Sequence, residues 1–240
     1  MTYIDLPADQ TRRLSFYLAM EEYVARTMPS GDYFFMWQVA PSVIFGRNQQ
    51  MESEVNVDYC RQHGIQLYRR KSGGGCVYAD ESNVMLSYVT ADDQVGVVFH
   101  RFLQMLLLVL RQLGVQATST SHNDVMIGDR KVCGTAFYHL PHRSIVHSTL
   151  LYDTNMEHML HAITPSADKL QKKGIQSVRQ RITLLKDHVS LSLEEVKAHI
   201  RHTLCEDSCR LTPDQVAGIE QVEQQYLENE FIHLLLHGTN

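Results

Sequence analysis

The sequence predicts an α+β fold: one domain built on a mixed, mostly antiparallel sheet flanked by helices. Two observations carry this. Strand-like segments cluster in the first 150 of the 240 residues, whereas the remainder reads mostly as helix. Hairpin-like pairs also outnumber strand–helix–strand units. With 44% hydrophobic residues and only 13 glycines and 6 prolines, the chain can bury a sizeable core and is not disordered or low in complexity.

The elements follow in order. Asp9 to Met28 reads as a helix, with Leu14, Tyr17, Leu18, Tyr23 and Val24 at a spacing of three to four. Tyr33–Val39 and Ser42–Phe45 are aromatic and β-branched strands split by Pro41. Val55–His63 is a short helix closed by Gly64. Ile65–Tyr68 is a strand that runs into Arg69-Arg70-Lys71-Ser72-Gly73-Gly74-Gly75, and Cys76–Tyr78 resumes extended structure. Asn83–Val89 is a further strand. The strongest helix starts at Asp92 or Asp93 and ends at Leu113, with Phe99, Phe102, Leu103, Leu106, Val109 and Leu110 on one apolar face and Gly114 as its stop. Asp124–Ile127, Lys131–Phe137 and Ser144–Leu151 are strands, the first two joined by a Gly128-Asp129 turn. Asn155–Ile163 is helical and Thr164–Gln176 is a polar loop. Ser192–Glu195 and Thr212–Gln215 are capping boxes, the second with Pro213 at the first helical position. They open helices to Leu204 and to about Glu228.

Charge and composition exclude several function classes. The net charge is −5 and no Lys/Arg run exceeds Arg69–Lys71, so no nucleic-acid surface is expected. The best apolar run, Phe102–Leu110, is about half of what a membrane span needs, so no membrane contact is expected. The N-terminus lacks a secretory pattern and the five cysteines are scattered, which points to reduced thiols in a cytoplasm. Cys205 and Cys209, four apart on an expected helix, read as buried small hydrophobes, with zinc as the alternative.

Three segments carry chemistry. In the first, three glycines beside three cations let backbone N–H groups approach an anion, with arginine adding charge-assisted bonds; the bland alternative is a flexible turn on a basic edge. The spacing is not that of a Walker A loop. In the second, His122-Asn123-Asp124-Val125 precedes Gly128-Asp-Arg-Lys131-Val-Cys-Gly-Thr. Lys131 reads as a point charge for a phosphate or carboxylate, or as a solvated hairpin lysine. Asp124 reads as a partner for a metal or a ribose hydroxyl, or as a turn cap. The third segment is His147-Ser-Thr149 with the later basic stretch Lys172–Arg181, whose plain reading is a solvated loop.

Together these segments resemble the lipoate–protein ligase A family of the biotin/lipoyl protein ligase superfamily. The runs RRKSGGGCVYADESNVMLSYV, HNDVMIGDRKVCGTAF, VHSTLLYDTN and KKGIQSVRQRITLL, with SVIFGRNQQ before them, follow that family's motifs in order from about Leu14 to Phe231. The resemblance implies a single catalytic domain over residues 1–240, with the family's small C-terminal accessory domain absent. It implies activation of lipoate with ATP and Mg²⁺ to lipoyl-AMP and transfer to a lysine of a lipoyl carrier domain. The carrier would be a 2-oxoacid dehydrogenase subunit or a glycine cleavage H protein, with a separate accessory-domain protein as a further partner.

Carried over residue by residue, the resemblance puts Arg70, Ser72, Gly73, Gly74 and Gly75 around the acyl and phosphate groups. Lys131 becomes the central catalytic cation. Asn123 and Asp124 face the nucleotide, Asp124 also being the metal partner. His147 and Thr149 approach the acyl-adenylate, and Ser177, Val178 and Arg179 sit in a loop over it. Val77 and Leu86 wall the acyl tail. The chain departs from the family at Ala79 and Ser148, where histidine and glycine are usual, and at Ser82. Two other readings therefore stay open: an octanoyl or lipoyl transferase working through a thioester on Cys76 or Cys133, and a weakly catalytic carrier-binding paralogue.

Overall fold

The computed structural model describes residues 1–7, 11–120, 124–164 and 181–232. Among them, eight strands form one sheet. In chain order these are β1 (Thr2–Asp5), β2 (Tyr33–Trp37), β6 (Val84–Thr90), β7 (Ala117–Ser119), β8 (Asp124–Ile127), β9 (Arg130–Leu140), β10 (Arg143–Leu150) and β11 (Asp207–Arg210). Their spatial order is β11-β1-β2-β6-β10-β9-β8-β7. β1 pairs parallel with β2 and β11, and the other pairs are antiparallel, as the α+β reading expects. A second sheet has the order β4-β3-β5, from β3 (Ser42–Phe45), β4 (Gln66–Arg69) and β5 (Val77–Ala79).

The large sheet is covered on both faces. β6 is buried throughout and splits its side chains: Met85 and Val89 face one core, Val84, Leu86 and Tyr88 the other. The first core lies under α1 (Leu14–Thr27) and α7 (Pro213–Leu227). The second lies under α4 (Val95–Gln112) and α6 (Leu193–Leu204). A third, smaller core sits beneath the second sheet with α2 (Met51–Glu54), α3 (Val57–Gln62) and α5 (Met156–Ala162). α8 (Asn229–Ile232) follows α7. Both expected capping boxes form: Ser192 with Glu195 and Thr212 with Gln215. Each such cap is worth about 1 kcal/mol.

Four expectations are corrected. β1, β7 and β11 have three or four residues each and carry too little periodicity to be read alone. α1 begins at Leu14 rather than Asp9, which lies outside the described residues. Cys205 caps α6 while Cys209 lies in β11, so they share no helix. α4 is 18 residues long and apolar enough by length and composition to cross a bilayer, which the nine-residue run did not suggest. Its stripe of Val98, Phe102, Leu103, Leu106, Val109 and Leu110 is nevertheless buried against the sheet.

Candidate active site

A groove of about 250 Å³ lies between the large sheet and the second sheet. Leu18 of α1, Trp37 of β2, Ile44 of β3, Val77 of β5 and Met85 of β6 supply apolar walls; Lys131, Asp124 and Arg181 gather at one end. A larger hollow of about 660 Å³ runs along the outer face of α4, but one helix alone lines it and no set of polar groups converges there. The chemistry therefore belongs to the groove.

The charged end is built by a β-bulge. β8 pairs Val125 with Cys133 and Met126 with Lys131, which leaves Val132 as an extra residue on β9. Val132 and Cys133 are both buried in the core under α4. The extra residue turns Lys131 and Gly134, three apart, onto the same face, where strict alternation would oppose them. The side chain of Lys131 then passes directly over Gly134. A Cβ built on Gly134 would lie 2.6 Å from Lys131 Nζ and 2.7 Å from its Cε. Glycine at this spacing leaves the end of the lysine free to occupy that position.

The bulge also frees backbone groups. Val132 carbonyl accepts from Leu151 N–H and Lys131 carbonyl from Thr183 N–H, both at 2.9 Å. Ile182 bridges Lys131 in parallel, and this brings Arg181 to the site. Asp124 joins the two cations: Oδ1 lies 2.6 Å from Lys131 Nζ and Oδ2 2.9 Å from Arg181 Nη2. Arg181 is a groove residue that the sequence reading did not single out, although the basic stretch ended on it.

The run Arg69–Lys71 behaves differently from its expected role. Arg69 Nη1 donates to the carbonyls of Gly46, Arg47 and Gln49 at 3.2, 2.9 and 2.8 Å, and its guanidinium lies 4.7 Å over the Phe45 ring. Arg70 lines the groove but spends its donors on the chain itself. Its Nη2 reaches the carbonyls of Gly73 and Gly75, both at 2.7 Å, and its Nη1 the carbonyl of Ile44 at 3.2 Å. Burial lowers its pKa to about 10. Lys71 turns inward to Glu22 at 2.6 Å. Arg70 thus ties the glycine loop, Arg69 the neighbouring Gly46–Gln49 segment, and Lys71 reaches an anchor on α1. Gly74 and Gly75 line the groove; Gly73 does not. Gly74 has φ +93°, and a Cβ on Gly46 would run into the Gly74 carbonyl. No atom stands within 4 Å of a Cβ built on Gly73 or Gly75, so the backbone there is open to approach.

His147 and Thr149 both line the groove from β10, at alternate positions. His147 is held at both nitrogens: Nδ1 lies 2.9 Å from Glu21 Oε2 and Nε2 2.7 Å from Ser72 Oγ. Glu21 accepts from Ser87 Oγ, which accepts from Trp37 Nε1 at 2.8 Å. Ser72 is therefore a buried anchor of His147 and not a lining residue. Leu86 faces the core under α4, so it does not wall the groove; Leu18, Trp37, Ile44 and Met85 do so with Val77. Ala79 is fully buried and lines no part of the groove, so the departure there opens no gap in its wall. Asn123, Ser177, Val178 and Arg179 lie outside the described residues.

Cys76 lines the groove, but burial pushes its thiol up to about 12. Cys133 faces the core, and burial likewise raises it to about 11. Neither is poised as a nucleophile. Among the described residues no three His, Cys, Asp or Glu side chains are arranged to hold a metal. Both oxygens of Asp124 are taken by cations. The carboxylate links Lys131 and Arg181, and a Mg²⁺ ion at this end would need phosphate oxygens and water to complete its shell.

Comparison with known proteins agrees with this geometry. Residues 14–205 match the family model for the lipoyl protein ligase A/B catalytic domain. Lipoate–protein ligase 1 of Staphylococcus aureus is 34% identical over 215 residues, 85% of this chain and 65% of its own length. Lipoate-protein ligase LplJ of Bacillus subtilis is 32% identical over 225 residues, 88% of this chain and 67% of its own. The chain thus spans about two thirds of the length of these curated relatives. Among solved structures, a chain from an archaeal lipoylation system of Thermoplasma acidophilum, a bi-partite lipoate protein ligase and its E2 lipoyl domain, superposes with a TM-score of 0.85. It is 25% identical, and the match covers 100% of this chain and 99% of that one. On the strength of the family match across most of its length, this chain belongs to the lipoyl protein ligase A/B catalytic domain family.

Proposed function

We propose that the chain activates lipoate with ATP to lipoyl-AMP and passes the lipoyl group to a lysine of a lipoyl carrier domain. The observation that carries this reading is the pair Lys131 and Arg181, linked by Asp124, at one end of an apolar groove beside an open glycine loop. An amphiphilic carboxylic acid fits that polarity. Its carboxylate meets the cations and its tail lies over β10 between Thr149 and His147, against Trp37 and Leu18. Successive same-face residues of β10 advance about 7 Å, a length suited to a short acyl chain.

The chemistry asks for charge neutralisation and positioning rather than a protein nucleophile. A carboxylate oxygen attacks the α-phosphorus of ATP and pyrophosphate leaves. Lys131 and Arg181 lie where they can offset the negative charge of both reactants. The neutral amine of the carrier lysine then attacks the acyl carbonyl, AMP leaves and the amine loses a proton. Lys131 stays in place for this second step, stabilising charge on the carbonyl oxygen. The open backbone at Gly75, which lines the groove, leaves room for the phosphate. Mg²⁺ would accompany the nucleotide as a phosphate-bound ion. The names of the curated relatives and of the archaeal system support lipoate as substrate and a lipoyl domain as acceptor. A separate accessory chain is a further proposed partner, supported by that bi-partite ligase.

The test is pyrophosphate release with detection of lipoyl-AMP by mass spectrometry. Release that requires lipoate and ATP together is expected. Release with ATP alone, or no adenylate with both substrates and Mg²⁺, overturns the reading.

A further inference from the structure

Two consecutive glutamates of α1 hold two consecutive residues at the root of the glycine loop. Glu21 reaches Ser72 through His147. Glu22 reaches Lys71 directly and is 3% exposed. Its carboxylate is fully used: Oε1 accepts from Arg26 Nε and Nη2 at 2.9 and 2.7 Å, and Oε2 from Lys71 Nζ at 2.6 Å and the Tyr226 hydroxyl at 3.1 Å. Lys71 also meets Gln225 Oε1 at 3.2 Å and lies 4.7 Å from the Tyr226 ring centroid. Neither Glu22 nor Lys71 lines the groove.

Burying a carboxylate is costly even when it is paired, and an apolar contact would serve packing as well. The pair sits where the backbone is hardest to order. Three exposed glycines follow Ser72, and glycine loses more conformational freedom on ordering than any other residue. Arg70 ties the loop from inside; among the described residues, Lys71 links the loop to both α1 and α7. We propose that Lys71 and Glu22 are positioning residues that hold the glycine loop in its ligand-ready shape without touching ligand. The role of that loop rests on the ligase reading above.

The test compares Lys71→Met, Glu22→Gln, Lys71→Arg and Arg26→Met in the full chain. Hydrogen exchange of the peptide spanning Gly73–Gly75 is read without ligand, and KM for ATP and kcat of adenylate formation are read with lipoate. Losing a charge-assisted bond corresponds to about a tenfold effect. Lys71→Met and Glu22→Gln are expected to exchange about tenfold faster in the loop and to raise KM about tenfold, with kcat within about twofold. Lys71→Arg, which keeps the charge, is expected to restore both. Arg26→Met removes another partner of Glu22 and is expected to lower Tm while leaving KM alone. Wild-type exchange in both Lys71→Met and Glu22→Gln overturns the proposal, as does a rise in KM for Arg26→Met equal to that for Lys71→Met. Faster exchange with no adenylate from any variant, the wild type included, leaves the anchor standing and sinks the ligase reading instead.

Discussion

Replacing Gly134 by alanine separates placement of Lys131 from stability of the fold. The new methyl would sit 2.6 Å from Lys131 Nζ and 2.7 Å from Cε, against an ordinary contact of 3.4 Å or more. The obstructed atoms are the far end of a flexible side chain, so the backbone need not move. Lys131 must retreat by about 0.8 Å, and misplacing a reacting group by about 1 Å can cost about a hundredfold in rate. Stability should hold or rise, because alanine restricts the unfolded chain by about 0.4–1 kcal/mol relative to glycine. For a domain of this size that is a rise of a few degrees in Tm at most. The assay pairs single-turnover adenylate formation with a thermal melt. The expected result is a drop in kcat of about a hundredfold with Tm unchanged or slightly raised. Full activity would refute the claim that the bulge places Lys131, and a collapse of Tm would show that Gly134 serves packing.

Three further outcomes follow from the same geometry. Arg70→Lys keeps a charge but loses the fork that spans the carbonyls of Ile44, Gly73 and Gly75. A urea titration should show a loss of about 2–4 kcal/mol, and unchanged stability would mean that the loop folds without it. The Cys76→Ser, Cys133→Ser double variant should keep full activity, since thiols at about 12 and 11 are almost wholly protonated at neutral pH; a hydroxylamine-labile acyl adduct on either cysteine of the wild type would contradict this. Burial raises the Glu22 carboxyl, but bonds from Lys71 and Arg26 outweigh it and hold its pKa below the usual value. Its contribution is therefore present above an unfolded pKa of about 4.3 and lost as pH falls through the lower folded value. Glu22→Gln should flatten stability against pH on that acid side, and an unchanged acid limb would show that Glu22 does not titrate with folding.

The longer elements were legible because their periodicity was strong. α4, β6 and the two capped helices α6 and α7 fall within a few residues of where apolar spacing and capping boxes put them. The short strands β1, β7 and β11 were not, because none combines an aromatic or β-branched run with the adjoining turn or glycine signal that marked the other short strands. At the site, Lys131 and Gly134 were visible as a motif, but the reason for their spacing is a bulge that no alternation pattern announces. Arg70 was visible as a cation, and it does line the groove, but its bonding was not legible. Sequence does not reveal that a guanidinium turns back onto two carbonyls of its own loop and one of β3. Trp37, Leu18 and Met85 looked like ordinary core residues, which on every other side they are. Glu21 was hidden in a helix whose buried face also carries Ser15 and Glu22. A polar residue among apolar neighbours at core spacing was the one signal that pointed to it.

Lys131, set by the bulge beside Arg181, is the residue on which the proposed ATP-dependent acyl transfer depends. The most direct measurement is the intact mass of an apo lipoyl carrier domain after incubation with this chain, lipoate, ATP and Mg²⁺, with Lys131→Ala alongside. The account predicts a lipoyl mass increase on the carrier, dependent on ATP and lost in Lys131→Ala. A lipoyl increase without ATP, or an undiminished one from Lys131→Ala, would contradict it.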